Sequence, residues 1–230
     1  MMTDANSFRR RAAGVALILA PALLLLSMII DPTGESGQAE GLAYAAHPGA
    51  MSVAATLLHY CWVLLVPGVL GMLHLVRRRG VVLAHVAGVL SVLGLVNLSG
   101  LMLVDFFESA AYLRLPPEQA AALIDAAGMP AVIAGWQLPG MAGSLLGLVL
   151  AAFAVVRAGK AGWWLPAGTI TGLAGFVAGA QSANLIPALA GPAVLVATFG
   201  AMGLSLIRMS DEEWASHPAA SPSASAVPAL

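Results

Sequence analysis

Nine of the ten basic residues of this chain lie at one end of its apolar segments. They are Arg9, Arg10 and Arg11, then Arg77, Arg78 and Arg79, then Arg157 with Lys160, and finally Arg208. Arg114 alone falls in a connection at the other end. Short basic connections stay on the cytoplasmic side of a membrane, so this asymmetry fixes how a spanning chain is threaded. Composition says that the segments between the clusters do span. The chain is 60% hydrophobic and 9% charged, against about 25% charged in a soluble domain. Its mean hydropathy is +0.89. A soluble globule of 230 residues cannot hide this much apolar surface from water.

Six apolar runs are each long enough for a crossing helix of about 20 residues. They cover roughly 12–30, 51–76, 81–104, 130–156, 163–180 and 187–207. The expected fold is an all-α integral membrane bundle of six helices over residues 1–209, followed by a cytoplasmic tail over 210–230. Starting inside at the first arginines, six crossings bring the chain back inside at Arg208, so both termini are expected in the cytoplasm. A signal peptide is the competing reading of the first run. Its apolar stretch is too long for one, and Ser27-Met28-Ile29-Ile30-Asp31 offers no small-x-small cleavage site.

The connections divide by side. The inner turns are tight and basic. The outer loops, 31–49 and 105–129, carry seven acidic residues against Arg114, a formal charge of −6. Within the first, 38–46 reads as a short helix stopped before His47-Pro48-Gly49. Within the second, Pro116-Pro117-Glu118 starts a helix and Gly128 stops it. Ala120, Leu123, Ile124 and Ala127 share one face, which predicts an amphipathic helix at the outer interface or capping the bundle. In the tail, Ser210 and Glu213 have the spacing of a capping box. Beyond His217 the Ala, Ser and Pro composition predicts disorder.

Glycine gives the packing signal. Gly168, Gly172, Gly175 and Gly179 share one stripe of the fifth run, and Gly140, Gly143 and Gly147 share one stripe of the fourth. Small residues at this spacing let helix backbones approach closely, where van der Waals contact replaces the missing hydrophobic drive. The two stripes overlap in depth, so spans four and five are expected to pack stripe to stripe. Pro67 removes a backbone hydrogen bond within span two, and a kink near residues 64–66 is expected, with Pro192 acting similarly in span six. Pro67-Gly68 and Pro139-Gly140 suggest a repeat of two hairpins. Their distances from the following basic turn differ by eight residues, roughly 12 Å, so two independent helix weak points fit better.

Polar groups inside a span are costly and mark functional sites. Asn97, Asp105 and Glu108 share a face of span three, and His59 lies at similar height on span two. With Gln137, Gln181, Asn184 and His47 they form a candidate outward-facing polar site. A carboxylate pair with a histidine suits a cation or a proton relay, while solvation of Asp105 and Glu108 at a span end explains them as well. His74 and His85 sit at equal depth beside the Arg77 turn, which is the weak case for a haem or metal pair. No catalytic, metal or nucleotide motif is present. No cofactor is expected, and nucleic acid is not expected as a partner because no soluble basic domain exists.

Ala45-Ala46-His47-Pro48-Gly49, then Leu65-Val66-Pro67-Gly68-Val69-Leu70-Gly71 running into Arg77-Arg78-Arg79, resembles a diffuse group of bacterial multi-pass membrane proteins of unassigned function. The resemblance implies a six-helix membrane protein and brings no site residues with it. The expected function is that of a non-enzymatic accessory or sensor protein of the cytoplasmic membrane. Its expected partners are membrane lipids and a partner membrane protein or a second copy. The rivals are a small-solute or cation transporter using the outer polar site and, more weakly, an intramembrane enzyme.

Overall fold

The computed structural model describes residues 2–34, 40–182 and 185–215, and among them every regular element is helical. In chain order the helices are α1 (Met2–Ile30), α2 (Glu40–Ala46), α3 (Pro48–His74), α4 (Val81–Leu101), α5 (Leu103–Arg114), α6 (Pro117–Ala127), α7 (Pro130–Val132), α8 (Leu138–Arg157), α9 (Trp164–Ser182), α10 (Leu185–Arg208) and α11 (Asp211–Ala215). Five stretches are long and apolar enough to cross a membrane: Ala5–Ile30, Pro48–His74, Val81–Arg114, Pro130–Arg157 and Leu185–Arg208. The expected fifth crossing, α9, is a shorter apolar helix. Its 19 residues reach roughly 28 Å, at the margin of a hydrocarbon core of about 30 Å.

Local signals explain most helix ends. Pro48 opens α3 and Pro117 opens α6, since the first turn has no use for the missing N–H. Gly80 adopts φ +85° in the basic turn before α4, a left-handed conformation that a side chain resists. Ser210 and Glu213 cap α11 reciprocally, the Ser210 N–H donating to Glu213 at 3.0 Å and the Glu213 N–H to the Ser210 hydroxyl at 3.1 Å. The rest of the tail, with His217, lies outside the described residues.

Two proline positions behave differently. Helix α3 runs unbroken through Pro67. Ahead of Pro139 the helix widens into a π turn over Ile133–Gln137. Pro139 has no N–H for the Gly135 carbonyl, and the Leu138 N–H bonds back to Ile133 instead. The matching Pro-Gly pairs thus adopt different local structures. The third run also exceeds its expected end. From Leu103 to Leu115 no Gly or Pro breaks the helix, so α5 continues α4 to Arg114 after one loosened turn at Met102.

The six long helices form a closed ring in the order α1, α3, α4, α8, α9, α10 and back to α1. Glycines define its tight seams. A Cβ on Gly143 would sit 2.9 Å from the Leu90 carbonyl oxygen, and one on Gly94 would enter the Gly143–Ser144 backbone. Gly140 faces Asn97, and Gly147 faces Ser91. These residues bind α8 to α4. The stripe of α9 meets α10: Gly168 faces Thr198, Gly172 faces Leu195, Gly175 faces Gly191 and Gly179 faces Ala188. Stripe-to-stripe packing of spans four and five is therefore not what the chain adopts. Each stripe finds a small-residue partner on its other neighbour, Ser91 and Gly94 on α4 or Ala188 and Gly191 on α10. Gly68 and Gly71 seat α3 on Leu17 and Ala13 of α1, and Gly14 meets Gly203 across α1 and α10.

The ring is locked at its basic end. Arg10 is 4% exposed although its neighbours Arg9 and Arg11 are exposed. It donates to the Leu206 carbonyl at 3.0 Å and the Ile207 carbonyl at 2.5 Å, both among the orphan acceptors that end α10. It also pairs with Asp211 at 2.9 Å. Removing that carboxylate in Asp211→Ala leaves a buried guanidinium with carbonyl partners alone. We expect a loss of about 1–2 kcal/mol in a reversible detergent-titration unfolding assay. In the same assay Gly94→Ala must push α4 from α8 and should cost about 1–3 kcal/mol. Gly49→Ala, with nothing within 4 Å of the new methyl, should leave stability unchanged.

Candidate functional site

At the opposite end, where the acidic residues gather, α2 folds back onto α5. Gly41 lets α2 lie against Tyr112 and Glu108, and the buried Ser109 hydroxyl donates to the Tyr44 carbonyl at 3.4 Å. This docking brings Glu40 and Tyr44 over the bundle beside Asp31, which follows α1. The result is a cleft of about 340 Å³ lined by Asp31, Thr33, Glu40, Tyr44 and Asp105, with apolar walls from α3, α9 and α10. No Lys or Arg is among the described residues that line it.

Its polar groups hold one another in place. The Asp31 carboxylate accepts from the Thr33 N–H at 2.8 Å and the Thr33 hydroxyl at 2.6 Å, a local turn that aspartate favours. The Tyr44 hydroxyl donates to Glu40 at 2.9 Å, one helical turn away. Burial, then the negative charges of Asp105, Asp31 and Glu40, hold the Tyr44 phenol well above its ordinary range. Its hydroxyl thus donates inside an acidic cleft. No three His, Cys, Asp or Glu groups come close enough to chelate a metal ion among the described residues.

A second, apolar pocket of about 580 Å³ adjoins the cleft. Trp62, Leu98, Met141 and Phe176 wall it, and Ile124 and Ala127 of α6 form part of its lining. The expected amphipathic face of α6 is realised in part: Ala120 is buried and Leu123 points outward. Leu58, Met102, Asp105, Phe176 and Ala180 line both spaces, so Asp105 stands on the boundary between acidic cleft and apolar pocket. The Trp62 ring meets Phe176 edge to face at 6.1 Å between centroids. Its buried indole N–H has no hydrogen-bond partner among the described residues.

Of the four residues grouped from sequence, only Asp105 lines the cleft. His59 turns to α4, where its Nδ1 lies 2.9 Å from the Ser99 hydroxyl and 3.2 Å from the Ser99 carbonyl. Asn97 faces α8: its Cβ lies against Gly140 and its carbonyl accepts from the Trp136 indole at 2.9 Å. Glu108 packs on Gly41 beneath α2. Gln137 lines the apolar pocket, and His47 is exposed at the start of α3. Asn184 and the side chain of Gln181 lie outside the described residues. Asp31, Glu40 and Tyr44 were not singled out as a site by the sequence. The available signal was the i, i+4 spacing of Glu40 and Tyr44 on a short helix at the acidic end.

At about pH 10 an ordinary phenol is half ionised. A difference ultraviolet titration between the wild type and Tyr44→Phe should show no phenolate from Tyr44 there. Comparison of the chain with protein-family models, with curated proteins and with solved structures returned no match.

Proposed function

We propose that this chain is a non-enzymatic protein of the cytoplasmic membrane, of the sensor or accessory class, that meets a cation at its outer end. In this reading α9 is a sixth crossing. Trp163 and Trp164, both exposed, suit the interfacial anchors of a span this short. Both termini are then cytoplasmic, as the basic clusters require. The observation that carries the reading is the gathering of Asp31, Glu40 and Asp105 in one cleft with no basic residue in its described lining. Such a cleft concentrates cations by its field. The basic half of the bundle is filled by fully buried Leu17, Val69, Met72, Phe199 and Leu206, which favours sensing over passage.

Transport of a small solute or cation is the second reading. It is favoured by Asp105, which lines both the outer cleft and the pocket between the spans. An intramembrane enzyme has least support. The hydroxyls of Ser27 and Ser144, which line these spaces, donate to the carbonyls of Ala54 and Met141 and not to a base.

Calorimetric titration in nanodiscs with sodium, calcium and tetramethylammonium chlorides tests the cation reading. Asp105→Asn should weaken binding of the preferred cation at least about tenfold, which is 1.4 kcal/mol. Glu118→Gln, on the exposed surface of α6, should change little. Identical binding in wild type and Asp105→Asn would remove Asp105 from the site, and with it the reading. Uptake of the same cation into proteoliposomes would move the assignment from sensor to transporter.

A further inference from the structure

At the basic end α3 and α4 part and leave a groove of about 900 Å³ on the side of the bundle. Its cause lies in the glycine seams. Gly68 and Gly71 draw α3 to α1, while Ser91 and Gly94 draw α4 to α8. Between them, a Cβ on Gly88 would meet only the tip of Leu73, at 3.2 Å. The groove walls are apolar, from Leu70, Leu73, Val89 and Leu93 among others. One end is different in kind. His74, Arg77 and His85 close it, and Arg78 and Arg79 are exposed in the same turn. No Asp or Glu is among the described residues that line it.

Depth and charge together describe an occupant. From Ala84 to Leu93, the groove follows α4 for 10 residues, roughly 15 Å. Half of a bilayer core is about 15 Å. The apolar walls therefore match one leaflet of acyl chain, and the basic end falls at headgroup level. Arg77 is also fixed there in advance. Its Nη2 donates to the Trp214 carbonyl and, at 2.7 Å, to the His74 ring nitrogen. The His74 ring is in turn stacked on Trp214 at 4.2 Å. The other Arg77 nitrogens also meet carbonyls, Nε that of His74 at 3.3 Å and Nη1 that of Ala215 at 3.4 Å, so what the guanidinium offers a phosphate is a fixed positive charge at the end of the groove.

We propose that this groove binds one anionic phospholipid of the leaflet that meets the basic end, with an acyl chain along the α3–α4 seam and its phosphate at Arg77. The site is independent of the outer cleft and of which way the chain is threaded. The probe is an equimolar mixture of dioleoyl phosphatidylglycerol and dioleoyl phosphatidylcholine in nanodiscs. The readout is native mass spectrometry of the released protein. The wild type should retain one phosphatidylglycerol at least fivefold more often than phosphatidylcholine. Gly88→Leu fills the groove without touching charge and should abolish that retention. Arg77→Gln should reduce it at least fivefold. Because Arg77 also holds Trp214, the double variant Arg78→Gln, Arg79→Gln supplies a second electrostatic test and should reduce retention in the same direction. Arg9→Gln with Arg11→Gln, exposed at the same end but on α1, should leave it unchanged. Equal retention of the two lipids overturns the proposal. So does full retention in Gly88→Leu, an equal loss in the Arg9, Arg11 variant, or a second copy of the chain found in the groove in place of lipid.

Discussion

Contact between helix backbones, made where glycine removes the side chain, is the interaction on which the rest of this bundle depends. Within a bilayer, lipid tails are as apolar as leucine, and burial alone gives helices no reason to associate. What remains is the number of atoms in van der Waals contact, which grows steeply as axes approach. Four seams of the ring have this contact, α1–α3, α1–α10, α9–α10 and α4–α8. The two seams that lack it, α3–α4 and α8–α9, are where the structure opens. The apolar pocket at the acidic end draws lining from α8 and α9, and the groove at the basic end lies between α3 and α4. These two spaces are the complement of the glycine pattern.

This also explains what could be read in the sequence. Helix positions were legible because proline, glycine and capping residues act over one or two turns. Pro117, Gly128 and the Ser210–Glu213 box end or begin helices at the expected places. The stripes were legible as faces that pack, but a stripe names no partner. The partners were hidden because α4 and α10 answer with mixed small residues, Ser91 with Gly94 and Ala188 with Gly191, rather than with visible glycine runs. The site was legible only through Asp105. Its companions Asp31 and Glu40 reach it because α2 folds back on α5, a contact between segments some 65 residues apart, as the Ser109 to Tyr44 bond shows. No periodicity encodes such a contact. Arg10 was hidden inside a cluster that topology already explained.

The two ends of the molecule use charge in opposite ways. At the acidic end the carboxylates of Asp31, Glu40 and Asp105 share a cleft with a protonated phenol and no described basic residue. The fold holds these acidic groups together there. At the basic end arginines are spent on backbone carbonyls. Arg10 takes two at the close of α10, and Arg77 takes that of Trp214 in α11. These bonds satisfy helix-end acceptors and tie the last helices to the first and third. One end is therefore tied shut by its own hydrogen bonds, and the other gathers its acidic residues in one cleft.

The Arg10 clamp has a consequence in time. Its partners, Leu206, Ile207 and Asp211, lie 196, 197 and 201 residues further along the chain. Synthesis proceeds from the N-terminus at about 5–20 residues per second, so roughly 10–40 s separate the emergence of the arginine from that of its partners. For that interval the Gly14 face of α1 has lipid for a neighbour, and a positive side chain at its end has only headgroups and water. Closing the ring thus waits on α10 and α11, the helices that bring these partners.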